Sequence, residues 1–564
     1  MHTWRLDPRH LDESLDTFRW LDEQLPNFTL GVRHSDATHT LLFGPSRFAP
    51  HDCACANISH LYFADLVLDV SAFEQTTFEL RLQRSADLDG AVLLVNDQPR
   101  MGVATAGASL IPQGVEYLRW APPATLPRLP GLDGLVSLLL CNPVLIDISA
   151  LAECETLQSL ELSECWLVHE LSPLSNLTSL QSLALPDLLR LTELAPLSGL
   201  HSLTALDLSG CRQLEELAPL ANLAQLDWLE LGYCCPDSIA PLAALVALEH
   251  LSLEDCYQVK DFGPLRRLVK LRSLELSGCY LDDELAALME LDQLEQLSLR
   301  NCKELSQVTA LSAFNSLQTL SLCDCMQLSD FSPLARLGSL RELNLGSTQV
   351  GDLEWVADLP SLQSLDLSYC PKLRHLGPLT ALPSLRSLRL CDDTKLEDLS
   401  RLAELRTLRS LDLHGCTQLT ELDPLAPLTE LEYLSLNGCN RLADLSPLAS
   451  LCKLRTLDLG ACTSLTDISA VRHLSKLQKL TLLGVERLRH LELADLQELG
   501  TILFGATPAL QSLELTGLSS LRALRLSHAP ALHTLELHGL AGLVELELNR
   551  CRVKRLSLSG LDEL

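Results

Sequence analysis

LRTLDLGACTSLTDISAVRHL, residues 454–474, contains a leucine triplet with the spacing L-x-x-L-x-L (Leu454, Leu457, Leu459). Cys462, Leu465, Ile468, Val471 and Leu474 follow at regular intervals. Nearly every other segment of the chain is a variant of this one. The first leucine of each L-x-L pair falls at 138, 160, 183, 206, 229, 251, 274, 297, 320, 343, 365, 388, 411, 434, 457 and 480, in steps of 22 or 23 residues. A fixed period of about 20 to 29 residues marks stacked coils, each of which can bury its apolar side only against its neighbours. Random apolar sequence does not hold such a period over sixteen turns.

Within a coil the L-x-L segment reads as a strand, and these strands should form one long parallel sheet on a concave face. The opposite side reads L-(S/A)-P-L-(A/S)-x-L, with Pro173, Pro196, Pro219, Pro241, Pro264, Pro333, Pro378, Pro424 and Pro447 in one slot. Proline fixes φ and removes a donor, so it suits the first position of a short helical turn and excludes a strand. Glu170, Glu193, Glu216, Asp444 and Asp467 stand just before this turn, placed to meet its free N–H groups. Narrow turns on a convex face and sheet on the other predict an α/β solenoid curved into a horseshoe over residues 131–482.

From 483 the period changes. Pairs fall at 491, 502, 513, 524, 535, 546 and 556, in steps of eleven and finally ten. The proline turn has been replaced by a second strand, which predicts a flatter, two-sided, β-helix-like end over 483–564. No polar cap follows the pair 556/558, so either a partner or a second copy covers the last coil, or Arg550, Arg552, Lys554 and Arg555 blunt its edge.

Residues 1–130 lack the period and hold Trp4, Trp20 and Trp120 but no lysine. Leu11 to Leu25 spaces its apolar residues like a short helix. Thr38 to Phe43, Leu61 to Val70, Thr77 to Leu82 and Ala91 to Val95 read as strands. This is a small α/β or mostly β domain, and a first coil needs such a cap because its leucines would otherwise face water. His51, Asp52, Cys53, Cys55 and His60 could ligate a metal, but C-x-C without a second paired motif lacks zinc-site spacing and reads as a plain loop. No metal or cofactor is expected.

The chain has 564 residues, 47% of them apolar and only 4% aromatic, so leucine fills the core. Its net charge is −30, which excludes the basic face that nucleic acid or an anionic membrane would need. A protein partner with a basic surface is the sign-compatible choice. Eleven of the 20 cysteines (165, 211, 234, 256, 279, 302, 325, 370, 416, 439 and 462) share one slot, three residues after the second strand leucine. Their side chains should point in parallel into the coil as a ladder of reduced, buried thiols, which suits an intracellular setting. Met1 to His10 is polar and charged, with no apolar stretch behind it, so no secretory signal is expected. Cytoplasmic residence, or delivery into a host cytosol without a cleavable signal, follows. Arginine exceeds lysine by 34 to 9, the bias of a GC-rich, bacterial genome.

The pattern L-x-x-L-x-L-x-x-C followed by x-x-L-x-x-L-x-P-L-x-x-L resembles the leucine-rich repeat family, and within it the bacterial internalin-like class of 22-residue coils. The resemblance implies a protein-interaction scaffold that uses its concave sheet, and it names no partner.

Non-leucine strand positions project onto that sheet face. The residue inside each pair runs Glu161, Ala184, Asp207, Glu230, Ser252, Glu275, Ser298, Ser321, Asn344, Asp366, Arg389, Asp412, Ser435, Asp458 and Thr481. Glu164, Asp187, Glu254, Asp255, Asp324 and Asp392 add charge just beyond it, and Arg300 and Arg389 are among its few cations. Charge keeps an exposed sheet soluble, yet like charges at strand spacing repel. Trp228 and Tyr233 fall on one coil and His250, Glu254 and Asp255 on the next, with Tyr369 and Tyr433 on similar faces. Exposed aromatics ringed by charge are the composition of a binding hot spot, although edge packing explains them too. Trp228, Glu230, Tyr233, His250, Glu254, Asp255, Asp207, Glu275, Tyr369 and Tyr433 are therefore the candidate partner-binding residues. No G-x-x-x-x-G-K-[ST], H-E-x-x-H or G-x-S-x-G motif occurs, so no enzyme is expected. Two alternatives stand beside this reading: an enzyme or toxin-like activity in 1–130 that the repeats target, and self-association through the C-terminal coil.

Overall fold

The computed structural model describes residues 122–128, 131–281, 284–392, 398–505 and 507–561, together with ten short strands within residues 2–120. The chain divides into two compact units, Met1–Leu271 and Arg272–Leu564.

In the first unit the strands Ser137–Cys141, Ser159–Ser163, Ser182–Ala184, Ala205–Asp207, Trp228–Glu230 and His250–Ser252 pair in parallel, each with the next. Leucine lies on leucine throughout: Leu138, Leu160, Leu183, Leu206, Leu229 and Leu251 form one column. The strand period of two puts both leucines of a pair inside, where they are at most 1% exposed. The ladder starts before residue 131. Tyr117–Trp120 pairs in parallel with Ser137–Cys141, and Leu118-x-Trp120 fills the L-x-L slots with Trp120 fully buried. Tyr117–Trp120 in turn pairs with Met101–Ala104, which runs antiparallel to Val92–Val95. The N-terminal region is thus joined to the repeats through backbone hydrogen bonds.

Expected strands recur as Thr40–Leu41, Ile58–Phe63 with Leu66–Asp69, Thr77–Leu82 and Val92–Val95. His51–Ala56, expected to be a loop, is instead a strand antiparallel to Thr77–Leu82, as its two-residue alternation of HDCACA permits. Its side chains, and the helix expected over Leu11 to Leu25, lie outside the described residues.

In the second unit, strands from Ser273–Glu275 to Lys479–Leu483 repeat the same parallel, leucine-on-leucine register, as in Leu411, Leu434, Leu457 and Leu480. Beyond 483, Thr501–Gly505, Ala523–Ser527 and Glu545–Asn549 continue that sheet. His490–Ala494, Ser512–Thr516, Thr534–His538 and Arg555–Ser559 form a separate parallel sheet, so each eleven-residue half-coil supplies a strand.

All nine slot prolines stand in the first two positions of short 3-10 turns, and no α-helix occurs among the described residues. The helical turns expected from the sequence are thus of the tighter type. An i→i+3 bond such as Leu174 N–H to Leu171 O (2.9 Å) reverses the chain within the few residues a coil can spare. Carboxylates cap these turns: Glu170 accepts from Ser172 N–H at 3.0 Å, Asp444 from Ser446 at 2.8 Å and Asp467 from Ser469 at 2.7 Å. Hydrogen bonding to those serines holds the carboxyls of Glu170 and Asp444 below their ordinary range. No described helix is long and apolar enough to cross a membrane.

The residue before each ladder cysteine has positive φ, near +60° in Glu164, Tyr233, Asp255, Asn301, Asp324, Tyr369 and Ala461 and slightly higher at the glycines, and Asp187 and Asp392 hold the same slot in coils without a ladder cysteine. Its N–H still reaches the next coil, as from Tyr233 to Glu254 O at 2.6 Å, while the following residue, here Cys234, turns inward. The left-handed step is what converts strand into coil interior.

The eleven slot thiols are all buried and unbridged. They also do more than fill space. Cys211 donates to Leu185 O at 3.3 Å, Cys234 to Leu208 O at 3.1 Å, Cys325 to Leu299 O at 3.0 Å and Cys462 to Leu436 O at 3.0 Å. Each acceptor is the second strand leucine of the preceding coil, so the thiols tie coil to coil. Burial pushes them up, to about 11 for Cys165 and Cys325 and about 12 for Cys211, Cys256 and Cys462. As protonated thiols they can serve as donors.

Candidate functional site

Trp228 and Glu230 flank Leu229, and both therefore project from the sheet face of the first unit. His250 is the strand partner of Trp228. The two rings stack at 3.6 Å between centroids and 13° between planes. His250 Nε2 lies 2.8 Å from Glu230 Oε1, while its Nδ1 is buried without a hydrogen-bond partner. The three side chains form one braced group: Glu230 orients the imidazole, and the imidazole holds the indole upright. Trp228 nevertheless remains 47% exposed.

At the other end of the same strand Tyr233 occupies the left-handed slot with φ 62° and donates its hydroxyl to Glu254 Oε1 at 3.0 Å. Asp255 takes the equivalent left-handed slot of the next coil with φ 53°. Asp207, paired in register with Glu230, accepts Ser209 N–H through Oδ1 at 2.8 Å. Seven of the ten sequence-derived residues therefore share one unit: Trp228, Glu230, Tyr233, His250, Glu254, Asp255 and Asp207.

Glu275, Tyr369 and Tyr433 belong to the second unit. Glu275 accepts Ser277 N–H at 2.8 Å, the same strand-exit bond as at Asp207. Asp366, Asp412 and Asp458 make it as well, so part of the acidity of this face serves the turn. Tyr369 repeats the Tyr233 arrangement, with φ 59°, and hydrogen bonding to Asp392 pushes its hydroxyl up. Tyr433 takes the Trp228 position of its coil, between Ser410 and Thr456, and burial followed by Asp412 pushes its hydroxyl up.

In the sequence Arg389 is simply one of the few cations of the sheet face. In the structure it is clamped between its row neighbours, with Nη1 3.2 Å from Asp366 Oδ2 and Nε 3.7 Å from Asp412 Oδ2. The signal was present in the row Asp366, Arg389, Asp412, an arginine with an acid on each adjacent strand. Among the described residues no cluster of histidine, cysteine and carboxylate could hold a metal ion.

The family model for leucine-rich repeats matches residues 406–450 and 429–473. These are leucine-rich repeats. The matched repeats contain the strands Ser410–Asp412, Tyr433–Ser435 and Thr456–Asp458 and the proline turns between them. Among solved structures, an internalin from Listeria monocytogenes is 28% identical, with a TM-score of 0.46 over 54% of this chain and 87% of that one. A leucine-rich repeat protein from Leptospira interrogans is 21% identical, with a TM-score of 0.47 over 68% of this chain and 92% of that one. The leucine-rich repeat ectodomain of an Arabidopsis thaliana membrane receptor kinase, solved with Casparian strip integrity factor 2, is 18% identical, with a TM-score of 0.44 over 84% and 72%. No curated protein matches. The fold itself is read from the chain's own ladder of repeats.

Proposed function

We propose that this protein is a non-enzymatic interaction scaffold whose repeats bind a partner protein through the sheet face of the first unit. The observation that carries the reading is the braced Trp228. An indole stacked on one face, held by a His250–Glu230 pair and still half open to water, is costly for solubility and adds little to the core. It is a rigid anchor of the kind that dominates binding energy at protein interfaces. Tyr233 supports it from the same strand end, hydrogen-bonded to Glu254. Glu161, Asp207 and Glu230 make this stretch acidic, and the outward positions of the strands from Ser159 to Ser252 include no lysine or arginine. The partner surface is accordingly basic. The reduced thiol ladder supports residence in a reducing compartment, and the strands before Ser137 act in this reading as the cap of the first coil.

The test is capture of partners from host lysate on immobilised protein, with wild type beside the Trp228→Ala/Tyr233→Ala double variant, at 50 and 300 mM salt. A partner held by wild type, lost by at least tenfold in the double variant and weakened by salt supports the reading, since screening shortens to a few ångströms at high ionic strength. A partner indifferent to both substitutions refutes it.

A further inference from the structure

The next inference rests on that reading and specifies what the face receives. Because His250 covers one side of the Trp228 ring, the other side looks along the sheet toward the strand Ala205–Asp207. The residue in register there is Ala205, too short to cover an indole. Neighbouring strands lie about 4.8 Å apart, so the space over Ala205 has the width of one saturated or planar group. One strand further, Ala184 stands between Glu161 and Asp207 in the row inside the L-x-L pairs.

The second unit shows how this row is filled when a cation is available. Asp366, Arg389 and Asp412 occupy three consecutive strands in the same slot, and the guanidinium reaches both carboxylates. Asp366 and Asp412 each accept a backbone N–H two residues on through Oδ1 and face the Arg389 guanidinium with Oδ2. Asp207 accepts Ser209 N–H through Oδ1 in the same way, and its register neighbours are Ala184 and Glu230 instead of an arginine. Glu161, Ala184 and Asp207 thus line up as Asp366, Arg389 and Asp412 do, with alanine in the arginine position and with Glu161 accepting the Ser163 hydroxyl instead of a backbone N–H.

We propose that this vacancy accepts an arginine side chain of the partner protein, its stem over Ala205 against Trp228 and its guanidinium over Ala184 between Glu161 and Asp207. From Ala205 to Ala184 is one strand spacing across and two residues along, about 8 Å, so an extended arginine whose stem enters over Ala205 brings its guanidinium to the near side of Ala184. Arginine is specified over lysine because a planar fork can serve two carboxylates on separate strands and stack on an aromatic face, whereas an ammonium is a single point charge.

The experiment loads streptavidin sensors with a biotinylated Gly-Ser-Arg-Ser-Gly peptide, so that four arginines are presented together, and with lysine and citrulline versions. Wild type is expected to be retained at least tenfold more on the arginine surface than on the lysine one, and not on citrulline. Ala184→Arg should abolish retention by supplying the cation internally. Its unfolding midpoint should stay within experimental error of wild type, because position 389 already accepts arginine between two acids. Should Ala184→Arg fail to fold, Asp207→Asn keeps the acceptor for Ser209 N–H, removes the charge and should cut retention at least fivefold. Equal retention on arginine and lysine, no retention of wild type, or retention unchanged in these variants overturns the proposal. Lysate capture that needs Trp228 and Tyr233 yet survives in Ala184→Arg would leave the interaction face standing and remove the arginine slot alone.

Discussion

Tyr233 separates stability from binding in a way that two substitutions can measure. Its φ of 62° lies in the region where a side chain crowds the following carbonyl, at a cost of about 1–2 kcal/mol for an ordinary residue. Gly210, Gly278, Gly415 and Gly438 occupy the same slot in other coils, so glycine fits there without rearrangement. Tyr233→Ala removes the hydroxyl bond to Glu254 and the ring but keeps the strained backbone. Tyr233→Gly removes the same groups and the strain. The bond is exposed and worth only about 0.5 kcal/mol, and the extra freedom of glycine in the unfolded chain offsets part of the relief, about 0.5–1 kcal/mol. Tyr233→Gly is therefore expected to be more stable than Tyr233→Ala by roughly 0.5–1 kcal/mol and close to wild type. Because long repeat arrays do not unfold in one step, the assay is native-state hydrogen exchange on the peptide spanning 228–240, with the urea midpoint beside it. Partner capture should fall equally in both variants, since both lack the ring. Equal protection in the two variants would refute the strain argument. Capture by the glycine variant at the wild-type level would refute the role assigned to the tyrosine.

Cys462→Ala should cost about 2 kcal/mol, from one buried heavy atom, the small cavity left behind and a lost donor to Leu436 O, read as a lower urea midpoint. Native protein treated with iodoacetamide at pH 8 should be alkylated at exposed Cys452 but not at the ladder, because a thiol pushed up to about 12, as at Cys211 and Cys462, is ionised in roughly one molecule in ten thousand. Glu170, Asp330, Asp398 and Asp444 are held below their ordinary range by turn hydrogen bonds. For a lowered native value the contribution is complete above the unfolded value, near pH 4, and is lost as pH falls through the native one. Urea midpoints should accordingly drop below about pH 4, and Asp444→Asn, which keeps an acceptor but cannot titrate, should shallow that slope.

The solenoid was legible because its determinants are one-dimensional: period, leucine spacing and the proline slot each survive in the bare string. Even the change to an eleven-residue step beyond 483 appears as a second set of strands. Three things were less legible. Trp120 stands where a leucine pattern is being sought, so the ladder appeared to begin a coil late. The left-handed slot accepts glycine, aspartate, glutamate, asparagine, serine, alanine and tyrosine, a set with no common chemistry, and only the backbone angle unites it. The acidity of the sheet face was read as one surface property. In the structure Asp207, Glu275, Asp366, Asp412 and Asp458 each use one oxygen on the strand exit, and only the other oxygen faces outward.

That division of labour tells where function can reside in such a repeat. The inward slots are fixed by packing, the slot before the cysteine by backbone angle, and the carboxylate inside the L-x-L pair partly by the turn it caps. Two outward positions per coil are left to vary at little structural cost. In most coils they hold serine, threonine or a capping acid, which the fold alone explains. Trp228, braced by His250 and Glu230, is not explained by any of these demands, and Tyr233 occupies its slot against the backbone preference. Ala184 departs in the opposite sense, leaving space between acids where Arg389 fills it elsewhere. Departures that cost stability or leave charge unneutralised, gathered on adjacent strands of one unit, are what selection for a bound partner would retain. Single alanine substitutions at the ordinary outward serines, Ser159 and Ser182, should then leave capture unchanged, whereas Trp228→Ala should lower it at least tenfold. A flat scan across these three positions would show that the face is solvent-facing sheet and nothing more.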